Sequence, residues 1–379
     1  MTAARRLLPL LALAAILIAI AMNFWDRPEP IGIDFHTYEA AARVGLQQGW
    51  SHIYDQAPVA VEQKLLVPDE VAQPFISPPT VAWLAAVLAP LAYETSFLVW
   101  AVLTLAAFAG ALAWSASSRG LARWVPVAAA VAPWWVSEAI HVGQVVPLVA
   151  VGLAVAWRFL REDRNVAAGL ALSLLLLKPN TAFLVPLALL AAGRIRTIAA
   201  LSASGAVIAV VALLTTGGDG VSDYLHQLAG PLPPGADALT FGGALGIYGG
   251  VATALRVVIG IMVLVAAFRL RGSPGLVLVV GILGSMVTVP YLHASDLCVL
   301  TAAAWIVWGE RPELAWRVPL VVGWLLASPY AARVRLDPNL NRWFLLELAY
   351  LVVLVAVAWQ VGRAPRPLDE VVRAHDLRG

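Results

Sequence analysis

Long apolar segments follow one another along the 379-residue chain, separated by short polar stretches. The chain is 61% hydrophobic and 13% charged, whereas a soluble domain carries about 25% charged residues. A membrane-spanning helix needs about 20 apolar residues. The pattern therefore predicts an all-α polytopic membrane protein with about 11–13 transmembrane or partial helices. The apolar segments lie at residues 7–25, 79–93, 96–116, 124–138, 142–160, 166–193, 195–215, 251–270, 274–290, 294–308, 317–332 and 343–361.

Charge and cysteine content exclude several classes of protein. The net charge is +2, which gives no reason to expect a nucleic-acid partner. Cys298 is the single cysteine, so neither a disulfide framework nor a cysteine-rich metal site is expected. Arg5 and Arg6 precede the first apolar segment, and no small-residue cleavage pattern follows it. We expect an uncleaved first helix with a cytoplasmic N-terminus.

Two long polar stretches, residues 26–78 and 216–250, separate apolar segments within what we interpret as a single integral membrane domain. The first is rich in acidic residues and poor in basic ones, which favours the non-cytoplasmic side, and the basic tail 362–379 is predicted to be cytoplasmic. A short amphipathic helix is predicted in the first loop, over the stretch FHTYEAAARVGLQQGW. At helical spacing, one face of it carries Phe35, Tyr38, Ala42 and Leu46. Such a helix is expected on the membrane surface.

The first half of the chain permits two topologies. If 79–93 spans the membrane, the basic loops after it fall outside, against the usual charge bias. Residues 79–93 are short for a span and contain Pro90, so we interpret them as a partial segment. Residues 166–193 then form two half-helices broken at Lys178-Pro179-Asn180. This topology places IGIDFHTY, HVGQ, LKPN and YLHASD on one face of the membrane.

Asp34 and Lys178 are the first candidates for chemistry. Asp34 can be interpreted as a helix cap or as a solvated acid in a loop, and from spacing alone the cap is favoured. One carboxylate at the membrane surface is also suited to act as a general base. Lys178 lies in the apolar run LSLLLLKPNTAFLVP. An ammonium there must reach the interface, pair with an acid or meet an anionic ligand, for which a phosphate is suitable.

Polar residues between other apolar segments have both an ordinary and a functional interpretation. His141 and Gln144 in HVGQ suit the start of a helix or substrate binding. Tyr291, His293 and Asp296 in YLHASD suit an outer turn with an aspartate cap. His293 alternatively suits a hydrogen bond to a phosphate or to a sugar hydroxyl.

Arg333, Arg335 and Arg342 fall on the predicted outer side, where they suit contact with headgroups or with a lipid phosphate. The chain contains no Walker A loop, GxSxG, HExxH or CxxC motif. Asp34 and His36 are too few ligands for a metal site. The sequence therefore predicts neither a metal nor another cofactor.

Five stretches, in this order, carry a resemblance to a known family. They are IGIDFHTYEAAARVGLQQGWSHIYD, FISPPTVAWLAAVLAPLAYETSFLVW, HVGQVVPLVAVGLAVAWRFL, AAGLALSLLLLKPNTAFLVPLALL and VPYLHASDLCVLTAA. All five lie within residues 31–305. The chain resembles the bacterial GT-C-type membrane glycosyltransferases of family 87, which include polyprenol-phosphate-mannose-dependent α-mannosyltransferases.

The resemblance implies a GT-C-like bundle in the bacterial plasma membrane. It further implies an inverting transfer of a sugar, typically mannose, from a polyprenyl-phosphate donor to a lipid-linked or glycan acceptor outside the membrane. The acid of the first outer loop corresponds to Asp34, which would act as general base. Lys178 and His293 correspond to polar positions near the donor phosphate. The segment YDQAPVAVEQKLLVPDEVAQ before SPP departs from the family pattern, so the acceptor stays open.

Two other functions compete with the enzyme. The break at Lys178 is also typical of transporters and lipid flippases, but no internal repeat accompanies it. A non-catalytic assembly subunit that keeps the fold is the third hypothesis.

Overall fold

A computed structural model describes residues 30–116, 123–230, 237–311, 313–327 and 341–361, together with positions 14, 16–18 and 21–22, which are helical. The side chains at 341, 342 and 361 are outside the description. Within these ranges the chain forms helices joined by turns and contains no strand. The predicted all-α class is confirmed.

Sixteen α-helices lie within the described ranges. They are α1 (Ile33–Gln47), α2 (Gln56–Leu66), α3 (Pro79–Ala86), α4 (Tyr93–Ser115), α5 (Trp124–Val131), α6 (Trp134–His141), α7 (Val146–Arg161), α8 (Asn165–Leu172), α9 (Leu184–Ala191), α10 (Ile195–Ala229), α11 (Phe241–Leu245), α12 (Gly249–Arg269), α13 (Pro274–Thr288), α14 (Cys298–Glu310), α15 (Leu314–Leu326) and α16 (Asn341–Val361). Short 3₁₀ helices occupy Trp50–His52, Ser173–Leu177, Pro179–Thr181 and Ala294–Leu297.

Four of the described helices are long and apolar enough to cross a membrane: α4, α10, α12 and Trp343–Gln360 within α16. The run Asn165–Leu177, α13 and α15 are shorter apolar helices. These helices pack with the buried helices α7, α13 and α14 into one bundle around a common core. A polytopic membrane protein is the architecture that this arrangement supports.

The two predicted irregular segments occur in the structure. Residues 79–93 contain only the eight-residue α3 before turns begin, so this segment is partial. Residues 166–193 divide into α8 and α9, separated by 3₁₀ turns around Lys178. Lys178 has φ −150° and ψ 77°, because the residue before a proline is disfavoured in the α region. The Leu184 N–H after the break donates to the Ser285 hydroxyl of α13 at 2.9 Å, which pairs a backbone group that the break has freed.

One apolar segment and one predicted loop differ from the prediction. The segment 124–138 is not one helix, because Pro133 ends α5 and begins α6. The predicted loop 216–250 is helical as far as Ala229, beyond a break at Gly217 with φ +65°. Tyr224 on this extension packs against Tyr54 of the first loop, with the ring centroids 4.7 Å apart. Contact with the first loop therefore stabilises the extension.

The helix predicted in the first loop forms, but protein surrounds it. Phe35, Tyr38 and Ala42 are buried as expected, whereas Leu46 at the end of the same face is 56% exposed. Residues on the other faces, among them His36 and Glu39, are also fully buried. The helix α1 packs against α2 and α3 instead of lying on a membrane surface.

Candidate active site

The start of α1 is fixed on the end of α6. Gly32 N–H donates to the His141 carbonyl at 2.8 Å, and the N–H groups of Asp34 and Phe35 donate to the Val142 carbonyl at 2.8 and 3.2 Å. The first amides of one helix thus pair with the last carbonyls of another, groups that a helix leaves unpaired internally. These bonds bring the first loop onto the HVGQ turn and set the position of Asp34.

Gly143 allows this close approach. It has φ +74°, and a Cβ atom there would lie 2.5 Å from Cβ of Phe35. Its carbonyl accepts a hydrogen bond from Trp100 Nε1 at 2.9 Å. Only glycine combines the left-handed backbone with the space that the first turn of α1 occupies.

Asp34 accepts a hydrogen bond from Gln144. Gln144 Nε2 lies 2.9 Å from Asp34 Oδ2, while Gln144 Oε1 accepts from the Tyr38 hydroxyl at 2.5 Å and from Val145 N–H at 3.0 Å. Because two donors face Oε1, the amide must turn its N–H towards Asp34. The cap interpretation of Asp34 is wrong: Gly32 occupies the N-cap of α1, and no side chain caps this helix.

Lys178 forms an ion pair with Asp296. The Lys178 Nζ atom lies 2.6 Å from Asp296 Oδ1, and Asp296 Oδ2 accepts the backbone N–H of His293 at 2.9 Å. The His293 ring lies 4.8 Å from the Tyr291 ring in an edge-to-face arrangement. The break after α8 and the turn before α14 therefore meet, and the Lys178 ammonium has an acid from a distant part of the chain as its partner.

The site has an accessible layer and a buried layer. Asp34, Lys178, Tyr291 and His293 are partly exposed. Gln144, Asp296 and Tyr38 behind them are buried. The buried residues hold the partly exposed ones in place, so the accessible layer is the part that a substrate can reach.

Burial and neighbouring charges set the protonation of Asp34 and His293. Burial raises the pKa of Asp34 and the Asp296 carboxylate raises it further, against the lowering influence of Lys178, His293 and the Gln144 hydrogen bond. Burial and the Lys178 charge lower the pKa of His293. Asp296 and Asp34 act in the opposite direction, and the net lowering favours the neutral imidazole. Among the described residues, no group of three or more His, Cys, Asp or Glu side chains is placed to hold a metal ion.

The remaining predicted site residues do not belong to the accessible layer. His141 contributes its carbonyl to the start of α1, and its side chain is buried. Tyr38, in the buried layer, packs on Trp100 and donates its hydroxyl to Gln144. Arg335 lies outside the described residues.

His36 and Glu39, although close to Asp34 in sequence, bind within the first loop. His36 Nε2 lies 2.8 Å from the Gln63 carbonyl, and Nδ1 lies 3.5 Å from Glu70 Oε2. Glu39 pairs with Arg43 at 2.6 Å. The His36 contacts fix the loop on α1, whereas the Glu39–Arg43 pair lies within α1.

The profile of glycosyltransferase family 87 matches residues 75–329 of the chain. The chain belongs to glycosyltransferase family 87. The matched region contains Gln144, Lys178, His293 and Asp296, whereas Asp34 precedes it. No curated protein and no solved structure matches the chain. The family 87 assignment supports a membrane glycosyltransferase with a sugar donor and an acceptor as substrates, and favours this function over a transporter.

Proposed function

We propose that this family 87 glycosyltransferase transfers a sugar, most simply mannose, from a polyprenyl-phosphate donor to a lipid-linked or glycan acceptor, with Asp34 as general base. The reaction takes place on the non-cytoplasmic face of the bacterial plasma membrane and inverts the anomeric carbon. The observation that carries the proposal is the convergence of Asp34 with Lys178 and His293 in one partly exposed layer.

Asp34 has the properties of a base for a hydroxyl group. Its carboxylate accepts the acceptor's proton while the acceptor oxygen forms a bond to the anomeric carbon. The bond between that carbon and the phosphate oxygen breaks, and polyprenyl phosphate leaves with the electron pair. Because burial raises the pKa of Asp34, its conjugate base is stronger at neutral pH than an exposed aspartate. One carboxylate is sufficient for such a displacement.

Lys178 and His293 suit the leaving phosphate. The Lys178 ammonium carries three N–H groups; the bond to Asp296 occupies one side of it, and the side chain stays 13% exposed. Donors fixed in advance stabilise the charge that develops on a leaving oxygen. The buried Asp296 keeps the ammonium at the accessible layer, and Tyr291 beside His293 is available to the sugar.

Gln144, Tyr38 and Asp296 act indirectly in this proposal. Gln144 orients Asp34 and is itself oriented by Tyr38. Asp296 orients Lys178. They are positioning residues, since buried side chains already paired with other protein groups have little capacity to bind a sugar.

Asp34→Asn tests the base. The purified variant, given labelled polyprenyl-phosphate-mannose and a lipid-extract acceptor, is expected to lose about 10²- to 10⁴-fold in transfer rate while it still binds the donor. Asp69→Asn makes the same change at an exposed position of the same loop and is the matched control. Transfer by Asp34→Asn at the wild-type rate would exclude Asp34 as the base.

The product distinguishes the competing functions. The anomeric configuration of the new glycosidic bond, read by NMR, is expected to be opposite to that of the donor. Passage of the lipid across a proteoliposome membrane without any new glycosidic bond would instead indicate a flippase.

A further inference from the structure

An apolar cavity of about 620 Å³ lies between α5, α13, α14, α15 and α16. Its volume is within the range of about 300–1,000 Å³ that is typical of small-molecule sites. Alanine, valine, leucine and tryptophan side chains form most of its wall, and no residue of the accessible layer lines it. It is a separate space within the bundle.

The tryptophans of the wall offer the cavity mainly their carbon surfaces. Three of their indole N–H groups already donate to protein oxygens: Trp135 to the Thr301 hydroxyl, Trp305 to the Ser115 hydroxyl and Trp324 to the Ala129 carbonyl. A buried indole whose N–H is satisfied behaves as a large apolar surface. The wall is therefore suited to a hydrocarbon chain.

Glu347 is the exception in this wall. It is 2% exposed, and neither carboxyl oxygen has a hydrogen-bond partner among the described residues. It lies in the apolar span Trp343–Gln360. Burying an unpaired carboxyl group costs several kcal/mol, and an ionisable side chain inside a membrane segment is a functional candidate by default. A ligand that donates a hydrogen bond would satisfy it.

We propose that this cavity binds the hydrocarbon chain of a neutral, hydroxyl-bearing membrane lipid, whose hydroxyl group donates a hydrogen bond to Glu347. The apolar wall would contact the hydrocarbon chain of the lipid. The unpaired carboxyl group of Glu347 would accept the hydrogen bond from its hydroxyl group. An anionic lipid is disfavoured, because a phosphate beside Glu347 would place two acceptor groups together without a cation among the lining residues. The site goes beyond the proposed sugar transfer and does not depend on it.

Three photoreactive probes that share one chain test the chemistry: diazirine-bearing hexadecanol, hexadecane and hexadecyl phosphate. The purified protein is irradiated with each probe without any sugar donor, and labelled peptides are mapped. Hexadecanol is expected to label the peptides of α13–α16 about fivefold more than hexadecane, the factor that one net hydrogen bond gives. Hexadecyl phosphate is expected to label them least.

Variants connect the labelling to the cavity. Glu347→Leu should abolish the preference for the alcohol, and it should fold because it removes an unpaired buried polar group. Glu347→Gln should keep the preference, since its amide oxygen still accepts a hydrogen bond. A Cβ atom at Gly323 would lie 3.8 Å from the Tyr350 hydroxyl of the cavity wall. Gly323→Phe should therefore fill the cavity and reduce labelling about tenfold. Val322→Phe is the control, because Val322 is 50% exposed, and it should leave labelling unchanged.

Three results would overturn the proposal. They are equal labelling by the alcohol and the alkane in the wild type, preferential labelling by hexadecyl phosphate, and unchanged labelling in a folded Gly323→Phe variant. Thermal unfolding of each variant establishes that it is folded. Because labelling is read without a sugar donor, its failure leaves the glycosyl transfer unaffected, and loss of transfer leaves the lipid site unaffected.

Discussion

Gln144→Met removes the single hydrogen bond that a described side chain donates to the Asp34 carboxylate, while it keeps most of the side-chain volume. A hydrogen bond to a charged group is worth about 1.5–3 kcal/mol, and 1.36 kcal/mol corresponds to one pH unit. The bond stabilises the ionised form of Asp34 and so lowers its pKa. Its loss should raise the pKa of Asp34 and so move the acid limb of kcat/KM to higher pH.

The same variant also loses stability. Tyr38 O–H and Val145 N–H lose their shared acceptor, at about 1–3 kcal/mol for each buried group left unpaired. Tyr38→Phe is the matched control, because it removes one bond to Gln144 and leaves Asp34 bonded. It should cost stability and leave the acid limb in place.

The pH profile of sugar transfer and the thermal unfolding of both variants measure these effects. A loss of stability in Gln144→Met without a move of the acid limb would refute Asp34 as the group that titrates in the reaction. If neither quantity changed, the hydrogen bond between Gln144 and Asp34 would itself be refuted.

Three further perturbations follow from the site. Lys178→Met leaves Asp296 buried without a counter-charge and should cost about 3–5 kcal/mol of unfolding free energy; adding Asp296→Asn should restore much of this, but the KM for the donor should stay raised. Gly143→Ala forces a Cβ atom against Phe35 in a left-handed backbone and should lower the free energy of unfolding by about 1–3 kcal/mol. It should also lower the transfer activity, and unchanged activity would contradict the docking of α1 on α6. Asp34→Asn should unfold at a higher temperature than the wild type at pH 7. Because the folded-state pKa of Asp34 is raised, the wild type loses stability as the pH rises from the ordinary carboxyl pKa of about 3.9 towards the folded-state pKa, and the difference should vanish below about 3.9.

Hydropathy and proline positions predicted much of the fold. The partial segment at 79–93 and the break at Lys178-Pro179-Asn180 follow from segment length, charge bias and the missing proline N–H. The split of 124–138 at Pro133 was not predicted, although the proline was visible. Apolar composition alone does not distinguish one long helix from two short buried ones.

The candidate residues were predictable, but their pairing was not. An ammonium in an apolar segment requires an anion, yet nothing local to Lys178 identifies Asp296 as its partner. The bond from Gln144 to Asp34 depends on the docking of α1 on α6, a contact between backbone groups that leaves no side-chain pattern. Glu347 was detectable as an acid in an apolar segment, but its unpaired state depends on the packing of five helices.

The proposed phosphate-bearing donor would bring its phosphate to the Lys178 ammonium and the His293 imidazole. Asp296 pairs with Lys178, and Asp34 and Asp296 are the acids near His293. A bound phosphodiester adds a further negative charge beside His293, and a nearby anion raises the pKa of a histidine. Donor binding therefore favours a proton on His293, which gives the leaving phosphate a second charged donor. In the proposed mechanism Asp34 holds the acceptor's proton after transfer, so the site would return to its starting state when that proton and polyprenyl phosphate have both left.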